Sequence, residues 1–112
     1  MAQQNIVIAI AIALVMIVTE VERAKAQQFG SVDEGRQLAH DTCAECHAME
    51  NGARSPNANA PTFEDIANTP GMTSAALTVA LQTTQRRMPN FVIKGNARED
   101  IIAYILSLKG SH

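Results

Sequence analysis

The stretch Cys43-Ala44-Glu45-Cys46-His47 holds both cysteines of this 112-residue chain and one of its three histidines. Two thiols three positions apart, with an imidazole directly against the second, limit the chemistry to three kinds. They suit a dithiol redox pair, half of a zinc site, or covalent attachment of haem with His47 as an iron ligand. The chain has room for one small domain, lacks tryptophan, and has only Phe29, Phe63, Phe91 and Tyr104 as aromatic residues. That is thin material for an independent core, so something besides side chains is expected to fill the middle. The formal net charge is −2, and the basic residues are scattered apart from the pair Arg86-Arg87. No electrostatic footprint for nucleic acid is present, which excludes that class of partner.

Ile6 to Val18 is an unbroken apolar run of the length of a signal-peptide core, followed by the small-x-small pattern Ala24-Lys25-Ala26. Cleavage is expected after Ala26, making residues 1–26 a signal peptide and 27–112 the mature domain. No Lys or Arg precedes the run, and the stretch Thr19 to Lys25 is charged. The alternative is therefore an uncleaved anchor over Gln3 to Thr19, the only route by which a membrane enters. Either way the domain faces an oxidising compartment outside the cytoplasm.

Within the domain, Ser31-Val32-Asp33-Glu34 has the form of a capping box and predicts a helix from Val32 toward Cys43. Ala48 to Pro61 is rich in Asn, Gly, Ser and Pro and reads as an irregular loop. Phe63 to Ala67 predicts a short helical turn, and Thr73 caps a third helix from Ser74 to about Thr84, with Leu77 and Leu81 on one face. Arg86 to Lys94 is another loop. The last helix is expected to be capped by Asn96, with Glu99 at the capping-box position and Gly110 as the stop. Its residues Ile101, Tyr104, Ile105 and Leu108 form one apolar stripe. With no strand pattern visible, the fold class is all-α, three to four helices joined by long loops.

A dithiol redox pair usually lies where a strand meets a helix, and no strand precedes Cys43. Structural zinc wants four ligands, and beyond the motif only His40 and His112 remain, at unsuitable spacings. A disulfide between Cys43 and Cys46 would close a loop too short to add much stability. Haem answers the motif and the thin core together. Cys43 and Cys46 span the two vinyl groups of one haem edge, His47 is carried beneath the iron, and the apolar ring supplies core. One motif implies one haem c.

For the sixth iron ligand the candidates are Met49, Met72, Met88, His40, His112 or none. Met49 lies too close to His47 to cross the ring plane, and Met72 at the opening of a helix suits packing. Met88 stands in a loop far enough along the chain to return over the other face, with Pro89 stiffening its backbone. A thioether there favours ferrous iron, raises the potential and blocks the open site.

These residues resemble the small class I c-type cytochromes of bacteria over roughly Val32 to Leu108. The resemblance is carried by Gly35 on an early helix, C-x-x-C-H at 43–47, Pro61-Thr62-Phe63, Met88-Pro89, and a final helix with Tyr104. It implies the class I fold wrapped around one covalently attached haem, with Gly35 allowing the first helix to cross closely against the last near Tyr104. It also implies that the Pro61 region, with Pro56 as the rival in the same Pro-rich loop, supplies the backbone carbonyl that accepts a hydrogen bond from His47. Ala39 stands where many relatives carry an aromatic residue, which predicts a looser crossing.

Phe63 and Phe91 are expected to pack on the ring. Arg86 and Arg87 suit haem propionates, an acidic partner, or plain solvation; His40 is expected at the surface. Asp33, Glu34, Asp41, Glu45 and Glu50 form either a solvated face or a docking patch for a basic partner. The expected function is a periplasmic, monomeric, single-haem electron carrier rather than an enzyme. Its partners would be redox proteins: a dehydrogenase, a cytochrome complex, or a terminal oxidase or reductase. The alternatives are a haem subunit of a periplasmic dehydrogenase complex, or a sensor or peroxidase-like protein with an open iron if Met88 is not a ligand. Thiol-disulfide exchange remains as the reading without haem.

Overall fold

The computed structural model describes residues 1–13 and 30–110. The proposed cleavage site at Ala24–Ala26 and the candidate ligand His112 lie outside the described residues. Residues 2–13 are helical and exposed. Among the described residues no helix is long and apolar enough to cross a membrane, and no strand occurs.

Four helices build the domain: α1 (Val32–Cys43), α2 (Phe63–Asn68), α3 (Ser74–Gln82) and α4 (Asn96–Ser107). Three begin on a hydroxyl that accepts a backbone N–H three residues on: Ser31 from Glu34, Thr62 from Asp65, and Thr73 from Ala76. Each satisfies one of the amide donors that a helix start leaves free. Asp33 and Glu34 add negative charge in the first turn of α1, where the helix dipole favours it.

The helix ends differ from the sequence expectation in three places. At Ser31 the backbone N–H donates to Asp100 Oδ1 at 2.6 Å, so a carboxylate of α4 stands where Glu34 would have completed a capping box. Asn96 does not cap α4; Gly95 occupies the capping position, without a side-chain hydrogen bond, and Asn96 is already helical. Finally, α3 stops at Gln82 because Thr83 turns extended, at φ −108° and ψ 151°, while its hydroxyl donates back to Val79 O at 2.9 Å.

The core lies where α1 crosses α4. Gly35, Ala39 and Cys43 are the buried residues of α1, spaced one turn apart, and Ile101, Ile102, Tyr104 and Ile105 are those of α4. A Cβ on Gly35 would fall inside the carbonyl group of Asp100, and one on Gly30 would collide with the backbone of Glu99. Only glycine lets the two backbones approach this closely. Ala39, where a looser crossing is expected, is fully buried, one turn on from the close approach at Gly35. Phe63, Ala67, Leu77 and Met49 complete the cluster. Among the described residues the fold is all-α, four helices joined by long loops around this core.

Candidate functional site

Cys43 is the last residue of α1 and Cys46 follows on the next turn, both as free thiols. The amides of Cys46 and His47 both donate to Cys43 O, at 3.1 and 3.0 Å. The helix end is thus wound tightly enough to bring Cys43, Cys46 and His47 into one short segment. Burial pushes the Cys43 thiol up from its ordinary pKa, the opposite of the depression that makes a redox cysteine reactive. Nor does any group of three His, Cys, Asp or Glu side chains among the described residues converge to hold a metal ion.

His47 is oriented from outside the motif. Its Nδ1 donates to Pro61 O at 2.7 Å, which fixes the tautomer and leaves the lone pair of Nε2 free to bind a metal. Pro56 is exposed and Pro61 is the proline whose carbonyl meets the imidazole. The loop between motif and Pro61 is pinned at several points. Asn57 N–H donates to Cys46 O, Ala48 N–H to Ser55 Oγ, and Phe63 N–H to Ala48 O. The Gly52 amide donates to the Glu64 carboxylate at 2.7 Å. Phe63 is buried, its ring centroid 5.6 Å from that of His47 and 6.3 Å from that of Tyr104. Tyr104 OH donates to Met49 O at 2.8 Å, tying α4 to the chain just past the motif.

Cys43, Cys46, His47, Pro61 and Phe63 therefore form one cluster. Met88 lies outside that hydrogen-bonded cluster, half-buried in a turn that its own N–H closes onto Gln85 O at 3.2 Å. It lines a cleft with Leu81, Gln85, Phe91 and Ile93. Met49 is buried in the core and Met72 packs against it. His40 is exposed beside Asp41. Arg86 and Arg87 are exposed, and Phe91 is 40% exposed.

The donor set fits haem c: two unoxidised thiols at the required spacing and an imidazole with one nitrogen satisfied and the other free. Residues 30–105 match the family described as Cytochrome C oxidase, cbb3-type, subunit III. The chain belongs to the c-type cytochromes. The cytochrome is also 36% identical over 75 residues to Cytochrome c-552 of Bradyrhizobium diazoefficiens, covering 67% of this chain and 72% of that protein. No solved structure matches. The family carries haem-based electron transfer with covalently held haem c, which points to an electron carrier.

Sequence reasoning missed Thr62, whose hydroxyl caps α2 beside Pro61, and Glu64, which braces the loop. Thr62 carried a legible signal, a threonine three positions before an acidic residue at the head of an apolar run. Glu64 carried none, because the folded loop brings it to Gly52 across 12 positions.

Proposed function

We propose that this cytochrome is a single-haem electron carrier of the periplasm. In this reading Cys43 and Cys46 form the thioethers to haem c, and His47 and Met88 are the axial iron ligands. Residues 1–26 would direct export, as a cleaved signal peptide or a retained anchor, and residues 27–112 would be the working domain. The observation that carries the proposal is the 2.7 Å bond from His47 Nδ1 to Pro61 O, one residue beyond two free thiols. Bound there, haem c supplies a one-electron ferric–ferrous couple.

The residues of the chain do the rest. Pro61 O holds His47 in the tautomer that can ligate, and the pinned loop keeps that carbonyl in place. Phe63 sets its buried ring against the imidazole, tilted 50° with the centroids 5.6 Å apart, and places apolar surface beside it. Among the methionines weighed as ligands, Met88 is half-buried in a loop turn and stands outside the core cluster. The side chains of Met49 and Met72 belong to core packing. A thioether ligand stabilises the reduced state and fills the sixth position.

The partners would be redox proteins engaged briefly through small interfaces. A second reading, a haem subunit of a larger oxidoreductase, is favoured by the matched family's description as an oxidase subunit. Copurification of a stoichiometric larger subunit with the full chain would establish it.

The test of the ligand set is the optical spectrum of protein matured in a host that attaches haem. The expected result is one covalent haem and a weak near-infrared sulfur-to-ferric-iron band that disappears in Met88→Ala. Covalent haem without that band would point to an open iron. A colourless protein with two titratable thiols would return the motif to thiol chemistry.

A further inference from the structure

Arg98 lies in the first turn of α4, where a cation opposes the helix dipole. Its Nε is buried and meets no acceptor. Both features cost stability, so helix formation does not explain the residue. Instead Nη1 reaches back across Gly95 and donates to Ile93 O at 3.5 Å. Gly95 is the pivot between the Met88 loop and α4: it has φ 54° and ψ −133°, and no side chain caps the helix there. Ile93, on the loop side of the pivot, packs against the core. Upstream, the backbone bonds at Met88 and Phe91 are local, to Gln85 O and Pro89 O.

We infer that Arg98 is a positioning residue for the sixth iron ligand. By spanning the Gly95 pivot it fixes the angle at which the loop leaves α4, and so holds Met88 at its station. The inference rests on the proposal that Met88 is the sixth ligand. Arg98 touches no reacting atom and acts only through the loop. The guanidinium suits the task because it stays charged and its planar fork offers several donors along a rigid stem.

The test uses the full-length holoprotein in its ferric form, with imidazole as a competitor for the sixth position. The imidazole concentration that half-abolishes the near-infrared band is measured in the unmodified protein, Arg98→Met and Arg98→Lys, with urea unfolding in parallel. Losing this long hydrogen bond from the clamp is expected to lower that concentration about two- to threefold in Arg98→Met. Arg98→Lys, which keeps a charged donor, should recover part of it, while the urea midpoints of the two variants stay alike. An unchanged imidazole midpoint in Arg98→Met overturns the inference but leaves the Met88 ligand standing. Equal losses in both variants, tracking their urea midpoints, overturn it in favour of general stability. Absence of the band in the unmodified protein sinks the ligand assignment and the clamp together.

Discussion

Where α1 crosses α4, backbone meets backbone across Gly35 and Asp100, and the buried hydroxyl of Tyr104 ties the crossing to Met49 just past the haem motif. Around Met88 the contacts are of another kind: turns closed onto near neighbours, with Phe91 and Val92 40% and 78% exposed. His47 thus stands on a close-packed platform, while Met88 stands on a loop steadied at its ends. Under the proposed His47 and Met88 ligand set, the contrast would keep one ligand in a fixed position and leave the other tunable. It also predicts that substitutions on the two sides will report in different observables, stability on one and ligation on the other.

The sharpest break is Gly35→Val. Its side chain has no room against the Asp100 carbonyl, and backbone cannot yield as a flexible side chain would. The helices must separate, at a cost of about 3 kcal/mol or more. Urea unfolding of the holoprotein should show a much lower midpoint. A midpoint close to that of the parent would mean that the crossing is soft, and the contrast between the two sides would fail.

Tyr104→Phe is next, expected to cost about 1–3 kcal/mol because it strands the Met49 carbonyl in the core. The same residue gives the crossing a pH signature. Burial first, and Glu50 second, push the phenol above its ordinary value of 10.0. The unfolded chain therefore gives up this proton at lower pH than the folded one. The stability that Tyr104 contributes is complete below pH 10 and is lost as pH rises through the folded value. Urea titrations above pH 10 should show a steeper decline for the parent than for Tyr104→Phe. Parallel declines would mean that the phenol titrates as it does in the unfolded chain.

Much of the platform was legible in the sequence because its determinants are local. C-x-x-C-H states its spacing outright, Ser31 and Thr73 announce helix starts, and the stripe through Tyr104 marks the buried face of α4. Ile102 was absent from that stripe, yet it is 3% exposed, because neighbours on both sides cover a wider arc than the periodicity requires. The resemblance favours Pro61 over Pro56, but the seating of its carbonyl against His47 was not legible. It depends on the path of a loop pinned by Asn57, Ser55 and Glu64, and those contacts exist only once the loop is folded. Asn96 misled for a related reason: its capping preference is overridden by the backbone angles of Gly95, which follow from where the loop must join the helix. Arg98 had no signal, since a lone arginine on a helix ordinarily reads as a solvated charge.

The Glu64 brace offers a smaller effect that separates scaffold from ligand within the His47 side itself. Its carboxylate accepts the Gly52 amide at 2.7 Å, and through the loop it steadies the carbonyl that orients His47. Glu64→Gln keeps the size and an acceptor but removes the charge, weakening the bond by about 1 kcal/mol or less. Val92→Ser, on an exposed side chain of the opposite loop, should change stability by under about 0.5 kcal/mol. With stability nearly matched, the two variants should differ in the haem environment: Glu64→Gln broadens the resonances of the His47 ring protons in the reduced protein, and Val92→Ser leaves them sharp. Equal line widths would show that the Pro61 carbonyl is held without the brace, by the Asn57 and Ser55 contacts alone.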